Sequence, residues 1–166
     1  MKSLNKIAGF LMLCWMVVIF MFSAEPDTES SELSGSVSYR IVSVVNTITA
    51  SHWDENELLD RAELIDYPVR KCAHMSEYAI LTLLGFVTFS FLNGRRKFLI
   101  PIGMTFLYAC TDEFHQLFVP GRAGRFTDVL IDTTGGIIML LFIALVTHVA
   151  HAKHTAGTAK QRRDDK

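Results

Sequence analysis

Two short stretches hold most of the side chains with which this chain could do chemistry. The first is Arg70-Lys71-Cys72-Ala73-His74-Met75-Ser76-Glu77-Tyr78. The second runs from Asp112 to Asp132 and reads DEFHQLFVPGRAGRFTDVLID. On a helix Arg70, His74, Glu77 and Tyr78 stand at i, i+4, i+7 and i+8, so they share a face. Asp112 and Gln116 are i, i+4; Glu113 and Gln116 are i, i+3. Asp128 and Asp132 are i, i+4, with Gly135 on the same face. Three chemistries fit these groups. Arg70, Lys71, Arg122 and Arg125 can hold an anionic headgroup, because a guanidinium fork matches phosphate or carboxylate. His74 with Glu77 can pass a proton, the carboxylate fixing the imidazole tautomer. Asp112, Glu113, Asp128 and Asp132 can offer oxygen ligands to a divalent cation. An HxxE or a DE pair is too common to choose among these, so cofactor and metal stay open. The working assignment gives proton transfer or orientation to His74, Glu77, Asp112, Glu113 and Asp128. It gives ligand binding to Arg70, Lys71, Tyr78, Gln116, Arg122, Arg125 and Asp132. The competing structural reading makes Arg70–Glu77 and Arg122–Asp128 ion pairs that hold helices together, and His74 an interhelical hydrogen-bonder. His115 belongs either to the edge of the site or to the surface.

Both stretches lie beside apolar runs, where charge is costly: about 2.5–3.5 kcal/mol per residue at the centre of a spanning helix. Half of the 166 residues are hydrophobic, twelve are Phe, and the net charge of -1 gives no reason to expect nucleic acid. Cys14, Cys72 and Cys110 show no CxxC spacing and read as small buried hydrophobes. Spans are expected at about 7–23, 72–92, 98–118 and 129–149. The first is read as uncleaved, since Phe22-Ser23-Ala24 is a poor cleavage site. Between the first two spans, 25–71 reads as an extracytoplasmic helical segment on or over the membrane surface. In it, 25–36 is a polar loop, and Leu33, Val37, Ile41, Val44, Val45 and Ile48 form one amphipathic face. Asp54 and Glu57 make a capping box for a second short helix, which Tyr67-Pro68 should end. Val119-Pro120-Gly121 is a turn, and the tail, 151–166, is expected to be disordered.

The expected fold is therefore all-α, a polytopic four-transmembrane-helix bundle forming one membrane domain. Lys2, Lys6, Arg95, Arg96, Lys97, Lys153, Lys160, Arg162, Arg163 and Lys166 fall on one side of it, which the positive-inside rule makes cytoplasmic. The other side carries ten acidic residues from Glu25 to Asp66. Arg70, Lys71, Arg122 and Arg125 run against that trend. Both polar stretches then reach the same outer depth of the membrane, where three helices can aim them into one pocket.

At these residues the sequence resembles the VanZ-like family of bacterial membrane proteins. The likeness rests on Arg70-Lys71-xx-His74-xx-Glu77-Tyr78 and on Asp112-Glu113-xx-Gln116-xxx-Pro120-Gly121-Arg122-xxxxx-Asp128-xxx-Asp132-xx-Gly135. FSAEP after the first span also looks like the family's Phe-Ser-x-x-Pro, and Asp132 stands where relatives often carry Asn. The resemblance implies a four-span protein of the cell membrane, related to one that gives low-level resistance to teicoplanin. The function expected is binding or modification of an anionic envelope lipid or glycan precursor, with membrane lipids as partners. The alternative is a non-enzymatic interaction protein whose charges are structural and whose partner meets the Leu33–Ile65 helices.

Overall fold

The helix on which the others pack begins where a capping box sets it. Glu57 N–H donates to Asp54 Oδ1 at 2.9 Å, and Asp54 N–H donates to Glu57 Oε2 at 3.1 Å. In the computed structural model, which describes the backbone of residues 2–164 and side chains as far as Lys153, five helices follow one another. They are α1 Lys2–Ser23, α2 Asp27–Thr49, α3 Glu55–Thr88, α4 Arg96–Gln116 and α5 Phe126–Asp164. Among the described residues there is no strand. Each of the other four helices packs on α3.

At 34 residues α3 is about 50 Å long, far more than a bilayer core requires. Its first half pairs with α2 as a hairpin. Val42, Leu58 and Ala62 form a small core there, flanked by Tyr39, Trp53 and Ile65. The Asn46 side chain closes the connection by accepting from Trp53 N–H and donating to Trp53 O. The second half of α3 joins the main core of Met12, Ile19, Tyr78, Leu81, Ala109 and Val129. Hydrogen bonds tie that core across helices. Trp15 Nε1 donates to Glu77 O at 2.9 Å, Tyr108 Oη donates to Met16 O, and the Thr82 and Thr105 hydroxyls are hydrogen-bonded at 2.7 Å.

The structure departs from the sequence reading at four places. Pro68 lies inside α3 and does not end it. A mid-helix proline costs about 3 kcal/mol. Here both flanking halves are held, one by the hairpin core and one by the bundle, and the exposed turn around it leaves the bereft carbonyl open to solvent. The polar loop expected over 25–36 is helical from Asp27, where Pro26 supplies the N-cap and Asp27 and Glu29 face the positive end of the helix dipole. The tail expected to be disordered continues α5 as far as Asp164, with Ala, Lys, Gln and Arg favouring helix there. The side chains of Lys160, Arg162 and Arg163, and all of Lys166, lie outside the described residues.

The fourth departure concerns the cysteines, read as small buried hydrophobes: Cys14 and Cys72 are exposed and Cys110 is half-buried. Leu33, Val37, Ile41, Val44, Val45 and Ile48 share a face of α2 as the spacing predicts, and all six are exposed. Ser34, Ser38 and Val42 are the residues turned inward.

Two helices are long and apolar enough to cross a membrane, Lys2–Ser23 and the Phe126–Lys153 part of α5. Only 22% of each apolar window is buried, which is not how a helix inside a water-soluble core packs. Phe10, Phe20, Leu141 and Phe142 stand out among the exposed side chains. These surfaces are those of a membrane protein.

Candidate functional site

Three close backbone approaches build the site. A Cβ on Gly135 would run into the Met75 carbonyl, so α5 meets α3 backbone to backbone. A Cβ on Gly124 would run into the Glu113 carbonyl, so the loop before α5 folds flat against the end of α4. Between α4 and that loop, Arg122 N–H donates to Val119 O at 3.1 Å, and Gly121 takes φ 77°. The positive φ with this hydrogen bond fits the type II turn that Pro-Gly favours. Pro120 O accepts from Asp27 N–H at 3.3 Å, which fastens the start of α2 to the turn.

These approaches leave a cleft of about 220 Å³ between α3, the turn and the beginnings of α2 and α5. Nine of the twelve predicted residues line it: Arg70, Lys71, His74, Glu113, Gln116, Arg122, Arg125, Asp128 and Asp132. Lys71 Nζ lies 2.7 Å from Asp128 Oδ2, joining α3 to α5. Glu113 Oε2 accepts from Arg125 N–H at 2.8 Å. Arg122 donates from Nε to Glu25 O and from Nη2 to Phe22 O, at 3.1 and 3.2 Å. It thereby staples the α1–α2 connection, and among the described residues no carboxylate forms an ion pair with it. The Arg125 guanidinium has no hydrogen-bond or ion-pair partner among the described residues.

A model of the VanZ/LLP1 family matches residues 8–147. The chain belongs to the VanZ/LLP1 family. No curated protein and no solved structure matches it. All the residues that line the VanZ-like cleft fall within the matched stretch.

The three predicted residues that do not line the cleft have other places. Tyr78 is wholly buried and donates to Asp112 Oδ2 at 3.0 Å. Asp112, itself buried, also receives Gln116 Nε2 at 3.4 Å, so this pair forms a support beneath the cleft. Glu77 turns into a neighbouring groove. The proposed His74–Glu77 shuttle is not hydrogen-bonded, since Nδ1 and Oε2 are 3.7 Å apart.

Neither expected ion pair, Arg70–Glu77 or Arg122–Asp128, forms. Arg70 instead meets Asp27 at 2.8 Å and Asp66 at 3.1 Å, and donates to Ser31 Oγ at 2.7 Å. These three partners, and Tyr67 on the cleft wall, were missed by the sequence reading. The Pro26-Asp27 pair opening an acidic first turn was the available signal for Asp27; nothing in the sequence singled out the other three. His115 is outside the cleft, its ring packed 4.4 Å from that of Phe20 on α1. Among the described residues no three His, Cys, Asp or Glu side chains are grouped so as to hold a metal ion.

Proposed function

We propose that this VanZ/LLP1 protein spans the membrane four times with both termini cytoplasmic, and that its cleft binds the phosphate or carboxylate of an anionic envelope lipid or glycan precursor at the outer leaflet. The distribution of Lys and Arg supports that orientation. The observation that carries the binding reading is the pair of arginines without carboxylate partners on the cleft wall. Arg122 is fixed in place by two carbonyls, and Arg125 keeps its whole fork free. Arg122 is half-buried and Arg125 exposed at the cleft wall, and a guanidinium fork favours an anion with two oxygens to offer. Glu113 already accepts from Arg125 N–H and Asp128 already faces Lys71, so Asp132 is the cleft carboxylate for which a ligand would bring a donor. Because His74 and Glu77 are not hydrogen-bonded, the resting geometry favours binding over proton transfer. We extend the proposal, through the family, to a part in protection against teicoplanin-type glycopeptides.

The test is mass spectrometry of lipids that copurify with the protein. Arg125→Ala should lower the anionic species at least tenfold, without disturbing a contact. An unchanged lipid profile would remove the support for the cleft as an anion site. For the resistance role, a susceptible host expressing the protein should tolerate more teicoplanin, and one expressing Arg125→Ala should not.

The second reading is a scaffold whose charges only hold helices together. Arg70 bridging α3 to Asp27 of α2, and Lys71 bridging α3 to Asp128 of α5, favour it. It also accounts for Arg122, which staples the α1–α2 connection, but leaves Arg125 unexplained.

A further inference from the structure

Beside the cleft lies a second hollow of about 240 Å³, between the end of α1, the first turns of α2, and α3. Its walls differ in kind from those of the cleft. Phe22, Leu33, Val37, Val69 and Ala73 make it mainly apolar. At its inner end stand Arg70, His74 and Arg122, which also line the cleft, so the two hollows meet at these three side chains. Glu77 lines the groove as well, and its Oε2 is buried without a hydrogen-bond partner. A buried acceptor left so is costly, on the order of 1–3 kcal/mol, and calls for a donor from a ligand. At the other end, Leu33 and Val37 belong to the exposed apolar face of α2. The groove is therefore apolar where it opens and polar where it ends.

We propose that this groove holds one hydrocarbon chain of an anionic lipid with a hydroxyl-bearing head, the head lying in the adjoining cleft. This rests on the anion-binding reading of the cleft. The chain lies against Phe22, Val37, Val69 and Ala73; the phosphate meets Arg122 and Arg125; a head hydroxyl donates to Glu77. The lipid enters sideways from the leaflet, between the end of α1 and the face of α2.

The full-length protein in detergent is titrated with 1-myristoyl-lysophosphatidylglycerol and with glycerophosphoglycerol, the same head without a chain, and read by native mass spectrometry. Wild type should bind the acylated ligand at least tenfold more tightly. Ala73→Trp fills the groove from an exposed position, and Val37→Asn makes its wall polar. Both should weaken the acylated ligand at least tenfold, leave glycerophosphoglycerol unchanged, and melt as wild type does. Arg125→Ala, which lies outside the groove, should weaken both ligands alike. If both groove variants bind the acylated ligand as wild type does, or if the chain adds no affinity, the groove assignment is overturned while the cleft keeps its anion. If Arg125→Ala binds both ligands unchanged, it is the cleft reading that falls.

Discussion

The meeting of α3 and α5 at Gly135 can be tested by adding one methyl group at two glycines. A Cβ at Gly35, inside α2, would find nothing within 4 Å. Gly35→Ala should therefore show only the helix-propensity gain, about 0.5–1 kcal/mol of added stability. At Gly135 the same methyl meets the Met75 carbonyl oxygen, with the Met75 carbonyl carbon at 2.8 Å and Cα at 2.9 Å. None of these is the end of a flexible side chain that could swing aside. Ordinary contact begins near 3.4 Å, so α5 must recede from α3 by about 1 Å. A gap of that size forfeits roughly a quarter to a half of the attraction across each facing contact. Overpacking of this kind costs about 1–3 kcal/mol, and the absence of a yielding neighbour puts the cost toward the upper end. After the propensity gain, Gly135→Ala should lose about 2 kcal/mol, which separates the two variants by about 3 kcal/mol. Far-ultraviolet circular dichroism melts in detergent should move in opposite directions, by roughly 2–4 °C per kcal/mol. If Gly135→Ala melts with wild type, the backbone approach is wrong, and the cleft that depends on it goes with it.

Other perturbations separate the parts of the site. Lys71→Ala alone should destabilise by about 1–3 kcal/mol, because Asp128 would be left half-buried and unpaired. Lys71→Asp with Asp128→Lys should recover most of that stability in a denaturation assay; recovery of biological function as well would favour the scaffold reading. Tyr78→Phe should cost about 1–3 kcal/mol, since Asp112 Oδ1 already lacks a partner and Oδ2 would lose its better donor, while ligand titrations shift less than the melt does. Asp54→Ala should cost about 0.5–2 kcal/mol and speed amide exchange at the start of α3.

Helical spacing carried a good deal of this in advance. It placed Arg70 and His74 on one face, and put Asp128, Asp132 and Gly135 on another. The capping box and the Pro-Gly turn are local chemistry, and local chemistry is written in adjacent residues. The ion pairs were not legible, because a long side chain with several carboxylates in reach chooses by tertiary distance. Arg70 had Glu77 two turns away on its own helix and took Asp27 from another. Pro68 misled for a related reason: propensity speaks for an isolated helix, whereas packing on both flanks decides this one.

The case of α2 has a wider consequence. Periodicity shows which residues share a face, but not which way the face looks, because that depends on the solvent. Reading the aliphatic face as inward assumes water outside. Burying a Val, Leu or Ile is worth about 1.5–3 kcal/mol, so six of them left partly exposed would forgo on the order of 5–10 kcal/mol in water. That is comparable to the whole stability of an ordinary domain, about 5–15 kcal/mol. A helix free to roll about its axis would not keep Ser34 and Ser38 inside at such a loss. The arrangement is economical only if the medium against α2 is itself apolar, and hydrocarbon is the medium that α1 and α5 already require. Leu33 and Val37 sit in both the exposed face and the groove, so the groove opens into that medium. If α2 instead faced water, a lipid could not enter there, and labelling of cysteines introduced at Ile41 and Ile48 by a water-soluble maleimide would be rapid. Slow labelling at both, with rapid labelling at Glu63, is the result this reasoning requires.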